Sequence, residues 1–198
     1  MDFPNDSQMT IIDSEYTLDL SSFSHLKSFE CGDSCFNSVN RFVVSGLNQL
    51  ESIRIGVNSF VLTKNTYTKI LNREFHLRNC SSLTELTIGQ NSFSDYYVFE
   101  LENLPNLKSI SIGSSSLESF NFYYVENVEF INLPSLETLD FGHSSFYYVR
   151  SIRLESLMIE WMIIIRSPSF GFSCSQSWCS SWKWWRLSKE YIRSSLQL

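Results

Sequence analysis

Between Leu26 and Leu157 apolar residues recur in a fixed frame. An eleven-residue phrase is written five times: LKSFECGDSCF from Leu26, LESIRIGVNSF from Leu50, LTELTIGQNSF from Leu83, LKSISIGSSSL from Leu107 and LETLDFGHSSF from Leu136. Counted from the leading Leu, positions 1, 4, 6 and 11 are apolar in every unit; in the third they are Leu83, Leu86, Ile88 and Phe93. Positions 4 and 6 lie two apart and share one face of a strand, while positions 3 and 5 face the other way. Those opposite positions are polar or small: Ser28 and Glu30, Ser52 and Arg54, Glu85 and Thr87, Ser109 and Ser111, Thr138 and Asp140. The alternation predicts a half-buried strand in each unit.

The second half of each unit reads as another strand: RFVVSGL from Arg41, EFHLRNC from Glu74, VFELENL from Val98, VEFINLP from Val128 and SIRLESL from Ser151. Pro105 and Pro134 follow the last apolar position in two units and oppose helix there. Position 7 is Gly throughout (Gly32, Gly56, Gly89, Gly113, Gly142), which calls for a sharp bend, a positive φ or a closely passing backbone. Position 9 is Ser34, Asn58, Asn91, Ser115 and Ser144, polar side chains suited to tying one unit to the next. Units start 24, 33, 24 and 29 residues apart. The extra text of the longer units falls near Leu62–Asn72 and Glu118–Glu126, between the two strands, where tolerated surface drift explains it best.

The phrase L-x-x-L-x-I-x-x-N-x-F of Leu83–Phe93, matched equally by Leu50–Phe60, resembles the leucine-rich-repeat consensus. The other three units carry Ser in place of the Asn, and the resemblance spans roughly Leu18 to Leu157. It implies a curved stack with a parallel sheet on the concave side. Joined to the second strand of each unit, it gives a mainly β repeat solenoid of about five coils, with parallel strands on both sides and little helix. Such a form is more similar to the leucine-rich-repeat arrays of unicellular eukaryotes than to the helix-bearing ones.

Residues 1–157 are thus read as the solenoid, with 1–25 as an N-terminal cap: a polar start to residue 15, then a half-repeat from Tyr16 (YTLDLSSFSHL) covering the first edge. Residues 158–198 diverge. All five tryptophans lie there, Trp161, Trp178, Trp182, Trp184 and Trp185, and repeat phasing fails near Glu160. This segment has five Lys/Arg against two Asp/Glu; the first 157 residues have ten against nineteen. It fits a cap over the last coil, a basic aromatic docking segment, or an out-of-frame continuation.

The overall charge of −6 and pI of about 5.1 argue against nucleic acid and anionic lipid as partners. No apolar run reaches the roughly 18 residues of a membrane helix, and the N-terminus lacks the features of a signal peptide. Five irregularly spaced cysteines argue against a disulfide framework, so a cytoplasmic location is expected.

Chemistry is sparse. His25, His76 and His143 fall where other units carry unrelated residues, His76 being expected on an exposed strand face. Asp140, His143 and Ser144 read as ordinary turn composition. Cys31 takes an apolar position, and Cys31–Cys35 and Cys174–Cys179 miss zinc spacing. The pairs Tyr96-Tyr97, Tyr123-Tyr124 and Tyr147-Tyr148 are expected to place one ring in the core and one outside. No catalytic residue, metal or cofactor is expected. The sequence points to a non-catalytic scaffold whose candidate concave face is Ser28, Glu30, Ser52, Arg54, Glu85, Thr87, Ser109, Ser111, Thr138 and Asp140. Protein ligands are what the resemblance implies. Two other readings are a truncated fragment of a larger leucine-rich-repeat regulatory protein or kinase, and a product without selected function.

Overall fold

The computed structural model describes residues 10–12, 15–62, 72–114, 118–157 and 163–165. They form thirteen strands: β1 Thr10–Ile12, β2 Glu15–Asp19, β3 Ser28–Cys31, β4 Val39–Ser45, β5 Ser52–Ile55, β6 Glu74–Arg78, β7 Glu85–Ile88, β8 Val98–Glu102, β9 Ser109–Ile112, β10 Asn127–Leu133, β11 Thr138–Phe141, β12 Ser151–Leu157 and β13 Ile163–Ile165. There is no helix among them. Each unit contributes one strand to each of two open sheets. The first strands of the units, followed by β13, form a six-stranded sheet in the order β3-β5-β7-β9-β11-β13, and the second strands join β1 and β2 in a seven-stranded one. Every pairing is parallel except β1 with β2. The two strands expected in each unit are therefore present, as is the Tyr16 half-repeat, which enters as β2 beside β4. The polar start differs from expectation, since Thr10–Ile12 folds back along β2 as β1. At the other end β13 pairs with β11, Ile163 opposite Leu139 and Ile165 opposite Phe141. The frame thus holds at positions 4 and 6 past Leu157, although Glu160 replaces the leading Leu; the remainder of 158–198 lies outside the described residues.

Apolar positions stack by number. Ile53, Leu86, Ile110 and Leu139 are buried at position 4, as are Leu50, Leu83, Leu107 and Leu136 at position 1. Two phenylalanine columns fill the interior between the sheets. Phe42, Phe75 and Phe99 stack at 5.2 and 5.1 Å along the second strands. Phe36, Phe60, Phe93, Phe122 and Phe146 stack at 5.2, 4.4, 5.1 and 5.2 Å. The second column corrects the fourth unit: position 11 is Phe122, not Leu117. Ser119 occupies position 8, because its carbonyl accepts the Asn91 amide as that of Gln90 accepts Asn58. The five extra residues thus follow Gly113 directly, instead of lying at Glu118–Glu126. The tetrapeptide Phe-Tyr-Tyr-Val at 122–125, repeated at 146–149, is the sequence mark of this alignment.

Residues flanking position 10 take left-handed backbone: Asn58 at φ 55° and Phe60 at 58°, Asn91 at 61° and Phe93 at 57°, Ser144 at 64° and Phe146 at 56°. That conformation costs an L-residue about 1–2 kcal/mol. Burying a phenylalanine contributes about 1.5–3 kcal/mol, and ring stacking about 0.5–1.5 more, so packing wins. The tying function expected of position 9 falls mainly to position 10. Ser59 Oγ accepts the Cys35 amide at 3.1 Å and donates to the Gly32 carbonyl at 2.9 Å; Ser92 repeats this with Ser59 and Gly56 at 3.0 and 2.7 Å. Asn121 donates to the Gly89 and Ser92 carbonyls at 2.7 and 3.0 Å. Position 9 adds one rung, Asn91 to Asn58 at 3.1 Å. A second amide ladder, Asn132 to Asn103 to Asn79, runs at 2.9 and 3.0 Å along the C-terminal ends of the second strands.

The glycine column is explained mainly by close backbone approach. A Cβ on Gly56 would lie 2.5 Å from the Gly32 carbonyl oxygen, and one on Gly89 2.7 Å from that of Gly56. Gly113 alone of the five has a positive φ, 89°, where the extra residues leave the turn. A Cβ on Gly32, in the first unit, meets nothing within 4 Å. Gly89→Ala should therefore lower the urea midpoint by the equivalent of about 2–3 kcal/mol, and Gly32→Ala should leave it within about 0.5 kcal/mol. Equal effects would refute the close-approach account.

Candidate functional site

In-register pairing brings the ten expected surface residues together as two adjacent columns. Ser28, Ser52, Glu85, Ser109 and Thr138 form one; Glu30, Arg54, Thr87, Ser111 and Asp140 form the other. Neighbouring members lie one strand spacing, about 4.8 Å, apart. The charges gather at one end. Arg54 donates to Glu30 at 3.1 Å and to Glu85 at 2.7 Å, and Thr87 donates to Glu85 at 3.1 Å. Arg54 and Glu30 remain about half exposed, so the pair is screened and adds little stability. The other end is hydroxyl-rich and ends on Asp140. Beside the Glu30–Arg54 pair a shallow open depression is lined by Glu30, Cys31, Gly32, Arg54, Ile55 and Gly56. Burial pushes the Cys31 thiol up to about 11, which keeps it from acting as a thiolate nucleophile near neutrality.

The outward face of the seven-stranded sheet carries a denser charge network than the sequence suggested. His76 is only 13% exposed and sits between Glu100 at 2.8 Å and Glu74 at 3.1 Å, so its expected exposure is corrected. Glu100 on the neighbouring strand β8 and Glu74 and Arg78 two residues away on β6 itself enclose it. Arg78 also binds Glu100, and Arg41 binds Glu74 at 3.0 Å. Burial works to raise the Glu100 carboxyl, but hydrogen bonds from Arg78 and His76 outweigh it and hold Glu100 below the usual range. A folded-state value below the unfolded one adds stability above the unfolded value, lost as pH falls through the folded one. Stability should decline as pH drops below about 4.5, the ordinary value, and Glu100→Gln should flatten that decline in urea titrations at stepped pH. An unchanged slope would show that Glu100 contributes nothing to it.

A buried ion pair escaped the sequence reading altogether. Val39, Tyr96, Val125 and Val149 fill one buried column, but the second unit places the exposed Asn72 there. Arg73 turns inward instead, fully buried. Its guanidinium binds Asp95, donates to the Val39 and Phe60 carbonyls at 2.5 and 3.2 Å, and lies 4.6 Å from the centre of the Tyr96 ring. Tyr96 in turn donates to the Val39 carbonyl at 2.7 Å. Burial raises the Asp95 carboxyl, and Arg73 and the Leu62 amide pull it back. Arg73 Nε and Asp95 Oδ1 find no partner among the described residues. Asp95→Leu should cost about 3–5 kcal/mol, whereas Asp95→Leu combined with Arg73→Met should recover most of that loss. A double variant no more stable than the single would show the pair to be net stabilising.

The aromatic pairs behave unequally. Tyr96 is buried and Tyr97 half-buried, as expected. Neither ring of the later pairs enters the core, which is a correction: Val125 and Val149 take the buried position and push both tyrosines outward. Tyr123 stacks on Tyr147 at 5.1 Å, and Tyr124 on Tyr148 at 5.4 Å. This four-ring grid lies at the corner between the sheets, with Tyr148 49% exposed. His143 Nδ1 lies 2.9 Å from Ser144 Oγ, a contact between chain neighbours in the turn. Ser144 itself is buried there. His25 meets Gln49 at the surface, 3.3 Å away. No group of three or more His, Cys, Asp or Glu among the described residues could hold a metal ion. No helix among them is long and apolar enough to cross a membrane. Cys174 and Cys179 lie outside the described residues.

Comparison of the chain with protein-family models, with curated proteins and with solved structures found no match.

Proposed function

We propose that the chain is a leucine-rich-repeat-like solenoid of about five coils that serves as a non-catalytic protein-binding scaffold, with the six-stranded sheet as its concave face. The observation that carries this reading is the register. Residues three and five of every phrase, scattered over more than a hundred positions of sequence, line up as one continuous polar strip. A strip of this kind suits a broad, shallow contact. It offers hydroxyls at one end and an acid–base–acid cluster at the other, where the depression beside Glu30 and Arg54 is shallow and open. A protein partner would add aromatic or arginine anchors of its own, since the strip has only Arg54 of the side chains that commonly dominate interface energy.

The second candidate surface is the tyrosine grid, favoured by the exposure of Tyr148. Partner capture with purified variants separates the two. Glu85→Lys with Asp140→Lys should abolish the interaction that wild-type protein makes, and Tyr147→Ser with Tyr148→Ser should preserve it. The reverse result would move the site to the corner.

A further inference from the structure

The two sheets end differently beside the first unit. The seven-stranded sheet runs on past β4 through β2 and ends on the antiparallel β1. The six-stranded sheet stops at β3, which pairs with β5 on one edge and with no strand among the described residues on the other. An uncovered strand edge is a template for another strand. Here its shape and charge say which kind. Nothing stands within 4 Å of a Cβ built on Gly32, whereas the same space at Gly56 holds the Gly32 backbone at 2.5 Å. Leu26, Cys31 and Phe36 are half-buried, but their counterparts Leu50, Ile55 and Phe60 are 0%, 3% and 0% exposed. Phe29 already lies inward at 2% exposure. Another strand would therefore gain apolar contact on its inward side. On its outward side it would meet Glu30, whose side chain is 52% exposed and whose only ion pair among the described residues is with Arg54.

We propose that the edge of β3 left unpaired among the described residues accepts an extended segment of a partner protein by parallel strand addition. The segment would have the chemistry apolar, Lys or Arg, apolar, then Gly. Its basic residue would sit beside Glu30 and continue the acid–base alternation of Glu30 and Arg54. Its glycine would pass in front of Gly32 as Gly32 passes in front of Gly56. A single strand fits better than a whole second array, because the matching end of the other sheet is occupied by β1, which runs antiparallel to its neighbour and breaks the parallel order a second array would continue. Strand addition of this type draws affinity from main-chain hydrogen bonds and selectivity from alternate side chains. The proposal shares the protein-binding reading above but uses a different surface.

The probe is a fluorescein-labelled peptide, LESIRIGVNSF, the sequence of residues 50–60, which supplies Ile-Arg-Ile-Gly. Titrated with the full chain, its anisotropy should rise and saturate. Gly32→Val, which places a side chain in open space, should keep the wild-type urea midpoint and abolish binding. Replacing the peptide's Arg by Glu should weaken it about fivefold or more. Asp140→Lys should bind the peptide as wild type does, so failure of the sheet-face reading and failure of this one are distinguishable. No saturable binding to wild type, or equal binding to a folded Gly32→Val variant, would overturn the proposal. So would a peptide-free dimer that the peptide dissociates, since the edge would then belong to a second copy.

Discussion

The structure depends on a column of phenylalanines held in an unfavourable backbone conformation. Phe36, Phe60, Phe93, Phe122 and Phe146 all have φ between 45° and 60°. Left alone, none of these residues would stay there. Each does so because its ring lies against the ring of a neighbouring unit, and in the second, third and fourth units the turn that bends it inward is fixed by Ser59, Ser92 or Asn121 at position 10. The strain and the packing are one device. The left-handed residues on either side of position 10 swing the chain from the six-stranded sheet toward the seven-stranded one, and the ring column fills the space that this swing creates. A glycine column just before the turn lets adjacent backbones approach closely enough for the rings to stack near 5 Å. Loosening any one of the three moves the other two.

The two longer units show how far this device tolerates interruption. In the fourth unit the extra residues leave immediately after Gly113, and the chain returns at Ser119 in time to restore positions 8 to 11. The ring column is unbroken, and Gly113 absorbs the change in its own φ. In the second unit the added text comes after Phe60, so rings and glycines keep their places. The loss falls on the column of Val39, Tyr96, Val125 and Val149. Arg73 fills the gap, and Asp95 and Tyr96 of the next unit are the groups that make its burial tolerable. The core thus accepts a charge where a repeat position was displaced, and the neighbouring unit carries the complementary side chains.

Much of this was legible in the chain itself. Period-two alternation located both strands of every unit, and their parallel pairing follows from repeating the same phrase at the same phase. What misled was counting. Leu117 stands at the right distance from Leu107, but a fixed distance assumes an uninterrupted turn; the repeated Phe-Tyr-Tyr-Val was the better guide. The tyrosine pairs at 123–124 and 147–148 escape a one-in, one-out reading because they lie in a corner where both rings can face out. Arg73 was not legible, because a buried arginine is defined by partners in three other segments: the carbonyls of Val39 and Phe60, and Asp95. The strip of positions 3 and 5 was legible as a surface. Its internal ion pairing was not, since it depends on the side-chain reach of Arg54 toward both neighbouring strands.

The distribution of charge bears on where such a molecule can bind. Both broad faces satisfy most of their own charges: Arg54 is shared between Glu30 and Glu85, and Glu100 is held by Arg78 and His76. A partner approaching either face must compete with these internal pairs and with water, so electrostatics there selects orientation more than it adds affinity. Apolar surface, which does add affinity, is available at the margins. The tyrosine grid lies at one corner, and the half-covered first unit lies beside β3. In an array whose interior is built by stacking like on like, the unmatched end is where the next like surface is still missing. Among the described residues, the same hydrophobic and main-chain groups that join one unit to the next are left without a neighbouring strand at that edge of β3.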